Sequence, residues 1–254
     1  VILSSYFDSG SVCPSWAPGA EESMGIASLI EYAKWLSRHP PRYTVMFVAF
    51  GGHHNDLAGA MRFLFDFVYP AYNLTRRAVG VRFIGQYNLD LSGGSSVVYI
   101  DRFGDFMHLY GGYHWVGTES LLRDHLTDKS NYGEGGVIDE IRQGTGKQYK
   151  VLVDAIGGTA QAEALPYEAT RYEYLGGKGR YYDSEPFNKF FENLGITFTT
   201  AYDPRFSYER PWDTFDRLTE EKFENLKVQL ELIYCILTRI LNTQWETLSS
   251  WIIY

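Results

Sequence analysis

The chain alternates short apolar runs with stretches of helical period. VILSSYF (1–7) is an apolar run bounded by Asp8, Ser9 and Gly10, and it reads as a buried strand. From 21 to 38 apolar residues recur at Ile26, Leu29, Ile30, Ala33 and Leu36, the spacing of one helix face. Glu21 and Glu22 fall at the start of that helix, where the dipole favours carboxylates, and Pro40 and Pro41 end it. TVMFVAF (44–50) reads as a second buried strand and 57–69 as a helix. VGVRFIGQYNLDLSG (79–93) is a strand that ends in Asp90 and a glycine turn, and SSVVYI (95–100) is a further strand.

The middle of the chain, 102–180, is rich in glycine and tyrosine and less periodic. It offers helical candidates at 119–126 and 136–143 and a strand at KVLVDAI (150–156). Order returns with EPFNKFFENLG (185–195) as a helix, ITFTTAYD (196–203) as a strand and a long helix over 219–245. In that last helix Phe223, Leu226, Leu230, Ile233 and Leu237 share a face. Strands alternating with helices of this length predict an α/β domain with a largely parallel sheet. No internal repeat and no low-complexity linker divides 1–254, so a single domain is expected. Its abrupt start on a strand suggests a segment upstream.

Composition narrows the function classes. A 45% hydrophobic and 17% aromatic chain of 254 residues has material for a sizeable core. A net charge of −8 with scattered positive residues gives no nucleic-acid surface. There is no Walker loop, no GxGxxG after a strand and no C2H2 finger. No run of eighteen apolar residues occurs, so no transmembrane span is expected. Cys13 and Cys235 form no CxxC pair, which argues against a structural zinc site or thioredoxin chemistry; they read as core thiols or as one disulfide.

In a parallel α/β sheet, ligands bind outside the carboxyl ends of the strands. The chemistry-bearing residues predicted there are Tyr6 and Asp8 after the first strand, and Glu21 and Glu22 after the proline loop. His53 and His54 follow in FGGHHNDLAG, then Asp90, and then Glu209 and Asp213 in YERPWDTFD. Carboxylates and imidazoles in one set are what a divalent metal needs. The bland alternatives are concrete: Asp8 and Asp90 as loop caps, Glu21 and Glu22 as helix-start charges, Tyr6 as packing.

The order of these motifs resembles the M28 family of zinc aminopeptidases, of the zinc-exopeptidase fold, over most of the chain. The family's His-x-Asp is Tyr6-Phe7-Asp8 here. Its PGAxDN-like loop is Pro18-Gly19-Ala20-Glu21-Glu22-Ser23, and its GEExGLxGS segment is Gly52-His53-His54-Asn55-Asp56-Leu57-Ala58-Gly59-Ala60. Its LDLxG-like aspartate is Asp90, and its YHTPxDT is Tyr208-Glu209-Arg210-Pro211-Trp212-Asp213-Thr214.

The resemblance implies a three-layer α/β fold, with a mostly parallel mixed sheet between helices. It also implies an extracytoplasmic or secreted location and a protein or peptide partner. His53 takes the place of the general base. A phenol, with a pKa of about 10, is a poor zinc ligand, so Tyr6 in the place of a histidine argues against the two-zinc mechanism. The resemblance therefore implies a divergent domain without ordinary aminopeptidase activity, serving as a binding or structural part of a larger assembly. The alternative is a hydrolase of peptides or amides with one divalent metal, zinc above all, held by Glu22, His54, Asp90 and Glu209. Tyr6, Asp8 and Asp213 would then support the ligands. His54 and Glu209 exchange the types of the family's ligands, so a buried ion pair between them is a further option.

Overall fold

The computed structural model describes residues 1–10, 18–68, 70, 83–101, 151–153, 181–191, 195–203, 205–208 and 210–243. Six strands form one sheet: β1 (Ile2–Tyr6), β2 (Met46–Phe50), β3 (Gln86–Asp90), β4 (Val98–Asp101), β5 (Val151–Val153) and β6 (Gly195–Thr200). Their order is β2-β1-β3-β6-β4-β5. β2, β1, β3 and β6 run parallel, β4 is antiparallel to β6, and β5 is parallel to β4. This is the mostly parallel mixed sheet expected from the sequence.

Among the described residues four α-helices accompany it: α1 (Met24–Arg38), α2 (Ala58–Phe63), α3 (Glu185–Phe191) and α4 (Glu220–Asn242), with a π turn, Leu64–Val68, continuing α2. Neighbouring residues of β1 face opposite layers. Leu3 joins Leu89 and Phe198 under Met24, Leu29, Tyr32 and Leu36 of α1 and Leu232, Ile233, Ile236 and Leu237 of α4. Ile2 joins Phe50 under Ala60, Leu64 and Val68 of α2 and its extension and Phe187 of α3. The alternation along a strand thus sorts the core into two layers, one on each face of the sheet.

Several local expectations change. β2 is an edge strand, so its residues alternate between half-buried and exposed until Phe50, and it is not buried throughout. α1 starts at Met24, so Glu21 and Glu22 precede the helix and its first turn holds no acidic residue. In α4, Phe223 is 42% exposed, while Gln229 is fully buried on the face that carries Leu226 and Ile233. The Gln229 amide is satisfied there: its nitrogen donates to the carbonyls of Ser92 and Ser95, each at 2.8 Å, and its oxygen accepts from Thr200 Oγ1 at 2.8 Å. The helical candidates at 119–126 and 136–143, and Cys13, lie outside the described residues; Cys235 is half-buried on α4.

Two features position the strand ends. The chain leaves β1 on one side to form β2 and returns on the other side to form β3. That reversal lies between β1 and β3, and in parallel sheets ligands bind outside the carboxyl ends of the strands at such a point. Next, α1 begins packed against the ends of β1 and β3. A Cβ on Gly25 would lie 2.6 Å from both Leu89 O and Ser5 Oγ, so only glycine lets the helix start settle on β1 and β3.

Candidate functional site

β3 ends in Asp90, whose carboxylate is 4% exposed. Tyr6, the last residue of β1, donates its hydroxyl to Asp90 Oδ1 at 3.3 Å, and Thr199 of β6 donates to Oδ2 at 3.1 Å. The dominant partner is a cation. Arg205 Nη1 donates to Asp90 Oδ1 at 2.6 Å, and Nη2 donates to Asp90 O at 2.6 Å and to Thr199 Oγ1 at 2.8 Å. The Arg205 guanidinium carbon lies 4.6 Å from the centroid of the Tyr208 ring, and the side chain is 6% exposed. Burial opposes the charge on Arg205, but Asp90 beside it, together with Tyr208 and Tyr6, outweighs burial and holds its pKa well above the ordinary value. Burial, then Tyr208 and Asp90, push the Tyr6 hydroxyl far up, against the pull of Arg205. Tyr6 is therefore a neutral donor at any working pH.

Arg205 is aimed by its backbone. Tyr202 and Arg205 have φ of +55° and +47°, the left-handed region that side chains rarely adopt. Asp203 holds this turn: Oδ1 accepts from Arg205 N at 2.9 Å, and Oδ2 accepts from Gly94 N at 3.2 Å and from Ser92 Oγ. The loop after β6 is thereby fastened to the loop after β3.

The adjacent histidines part company. His53 is buried and stacks on Tyr6, ring centroids 3.9 Å apart and planes within 14°. Its Nδ1 lies 2.9 Å from Asp183 Oδ2, in the turn that leads into α3. Burial pulls the His53 pKa down, but Asp183, through charge and hydrogen bond, with Asp90 and Asp8 behind it, leaves it raised. His54 is exposed and meets the Tyr6 ring edge-on at 5.9 Å and the His53 ring at 5.0 Å. It lies over Gly10, where a Cβ would come within 2.9 Å of the imidazole. Asp8 accepts the backbone N–H of His53 through Oδ1 at 3.3 Å and Oδ2 at 3.1 Å, which makes it a loop cap.

On the α1 side, Glu21 is buried and paired with Lys222 of α4 at 2.7 Å. Asp213 Oδ1 accepts from Glu21 N at 2.9 Å, and Ala20 N donates to Asp213 O at 3.0 Å, so the 19–22 turn is tied to the loop before α4. Burial raises the Asp213 pKa against the backbone N–H bonds from Glu21 and Glu22 and the charge of Lys222. Glu22 is buried, and its charge acts on Tyr6. Glu209 lies outside the described residues.

No protein-family model matches the chain, and no curated protein does. Solved structures do. A peptidase M28 precursor from Shewanella amazonensis SB2B aligns at a TM-score of 0.51 and 13% identity, covering 96% of this chain and 41% of that one. The fold is that of an M28 peptidase. The LapA aminopeptidase of Legionella pneumophila aligns at a TM-score of 0.46 and 11% identity, covering 96% of this chain and 51% of that one. The chain thus spans about half or less of the length of these structures. At such identities the M28 likeness is one of fold.

Two carboxylates at this edge are already engaged by cations. The Asp90 carboxylate carries a guanidinium and two hydroxyl donors, and Glu21 carries an ammonium. Among the described residues no group of three or more His, Cys, Asp or Glu side chains is arranged to hold a metal. The sequence reading of this edge did not include Arg205, Thr199 or Lys222. An arginine beyond a strand reads as solvent-exposed, and its one local signal is the Asp203 two positions earlier.

Proposed function

We propose that this chain is a divergent M28-like domain without two-zinc aminopeptidase activity, acting as a binding or structural part of a larger protein or complex. The observation that carries the reading is the buried Arg205–Asp90 pair at the carboxyl edge of the sheet. A second cation beside that guanidinium would meet like charge at close range. The Tyr6 phenol points the same way, since a neutral hydroxyl bonded to Asp90 supplies no anionic ligand. The partner in this reading is a protein or peptide. A secreted or extracytoplasmic setting is part of the proposal and rests on the fold likeness alone. No described helix is long and apolar enough to cross a membrane.

The test is turnover of an aminoacyl anilide by the purified chain in zinc-supplemented buffer, with metal content measured by mass spectrometry on the same sample. The expected result is background turnover and no stoichiometric metal. Turnover that follows one bound zinc per chain, and is lost on Glu22→Gln or Glu209→Gln, would move the reading to the single-metal hydrolase using Glu22, His54 and Glu209.

A further inference from the structure

We propose that Arg205 is a tethered cation: its guanidinium occupies the cation position at the Asp90 carboxylate and keeps divalent ions away from that strand end. This rests on the proposed function and names the device behind it.

The shell around the guanidinium is built for positive charge. Its partners are a carboxylate oxygen, two further oxygens at Asp90 O and Thr199 Oγ1, and the face of the Tyr208 ring. Each of these groups presents electron density to a cation, and a hard metal ion would take the three oxygens as ligands. An ordinary surface strut needs no such enclosure, whereas this pair is almost wholly out of water. The turn that delivers Arg205 holds two residues at positive φ, clamped by Asp203 to Ser92, Gly94 and Arg205 itself. Backbone in that region persists where the surroundings over-determine it. Here the clamp fixes a side chain that has one destination, the end of β3.

The charges then decide what else can enter. A divalent ion about 4 Å from the guanidinium would lose on the order of a thousandfold or more in affinity to repulsion. Remove the guanidinium, and Asp90 loses the cation that holds its Oδ1 and its carbonyl, in a strand end where the charge of Glu22 also acts on Tyr6. That strand end should then take a cation from solution.

Two probes test this on the full chain: zinc chloride followed by isothermal titration calorimetry, and methylguanidinium chloride followed by thermal melting. Four proteins are compared: wild type, D90N, R205A and R205A/D90N. Wild type is expected to show no zinc binding that D90N removes. R205A is expected to bind zinc saturably, at least tenfold more tightly than R205A/D90N. Millimolar methylguanidinium is expected to raise the melting temperature of R205A and leave wild type unmoved. Should R205A fail to fold, methylguanidinium present during refolding is expected to recover it. Zinc binding by wild type that depends on Asp90 overturns the inference, and so does an R205A protein that responds to neither probe. A merely structural ion pair gives that second result. Anilide turnover by wild type sinks the proposed function, while failure in the R205A arms sinks this inference alone.

Discussion

Replacing Arg205 with methionine keeps the length and most of the apolar stem but withdraws the charge. Asp90 then stays buried with the Tyr6 and Thr199 hydroxyls as its remaining described donors, 3.3 and 3.1 Å away. A buried ion pair broken on one side costs about 3–5 kcal/mol, because the other charge is left uncompensated. The Coulomb estimate agrees: two unit charges about 4 Å apart at an effective dielectric of about 20 interact by about 4 kcal/mol. With a urea m-value of roughly 3 kcal/mol/M, the unfolding midpoint should fall by about 1–1.7 M. The assay is urea denaturation followed by near- and far-UV circular dichroism, whose transitions must coincide for the free energy to be meaningful. The double variant D90N/R205M removes both charges and should recover a large part of the loss, as coupled neighbours do. A loss below about 1 kcal/mol for R205M, the value of an exposed pair, would refute the account of Arg205 as a buried partner of Asp90.

Two further outcomes follow from the geometry. The His53 pKa is raised, so the stability it contributes is fully present below the unfolded value of about 6.5; it is lost as pH rises through the folded value. Asp183→Asn removes the charge that holds it up. The His53 ring signals in NMR should then titrate at lower pH than in wild type, and melting temperature should depend less on pH above 6; an unchanged titration would show that Asp183 is not the cause. Gly25→Ala should destabilise by about 1–3 kcal/mol through overpacking against Leu89 O and Ser5 Oγ. That exceeds the gain of up to about 1 kcal/mol that alanine brings to a helix, so a rise in melting temperature would contradict the close approach of α1 to the sheet.

The strands were legible because their apolar runs are short and bounded by turn residues; β1, β2 and β3 each fall inside the run that predicts them, and β6 begins one residue ahead of its own. The strand-end location of Tyr6, Asp8, His53 and Asp90 was legible for the same reason, since a residue that ends a parallel strand lies at the carboxyl edge wherever the strand sits. Strand order was not: nothing in TVMFVAF distinguishes an edge strand from a central one, because that depends on which strand the chain returns to. Gln229 escaped a reading that followed apolar spacing along α4, although a polar residue on the buried face is what ties that helix to Ser92 and Thr200. Arg205 escaped because its role depends on a left-handed turn and on Asp203 reaching back to the loop after β3. Those are tertiary facts with no period in the sequence.

The Arg205–Asp90 pair also changes how the fold meets its surroundings. A protein held together by a captured ion gains stability in proportion to the logarithm of the free ion concentration over its dissociation constant. Its folded fraction then follows supply, and a chelator or a depleted compartment can unfold it. A guanidinium on the same chain has no free pool to run down. It is synthesised in equal number with its carboxylate, and its local concentration is set by the four residues of turn between β6 and Arg205. The Asp90 carboxylate therefore has its counter-charge at every dilution, independent of any supply of ions.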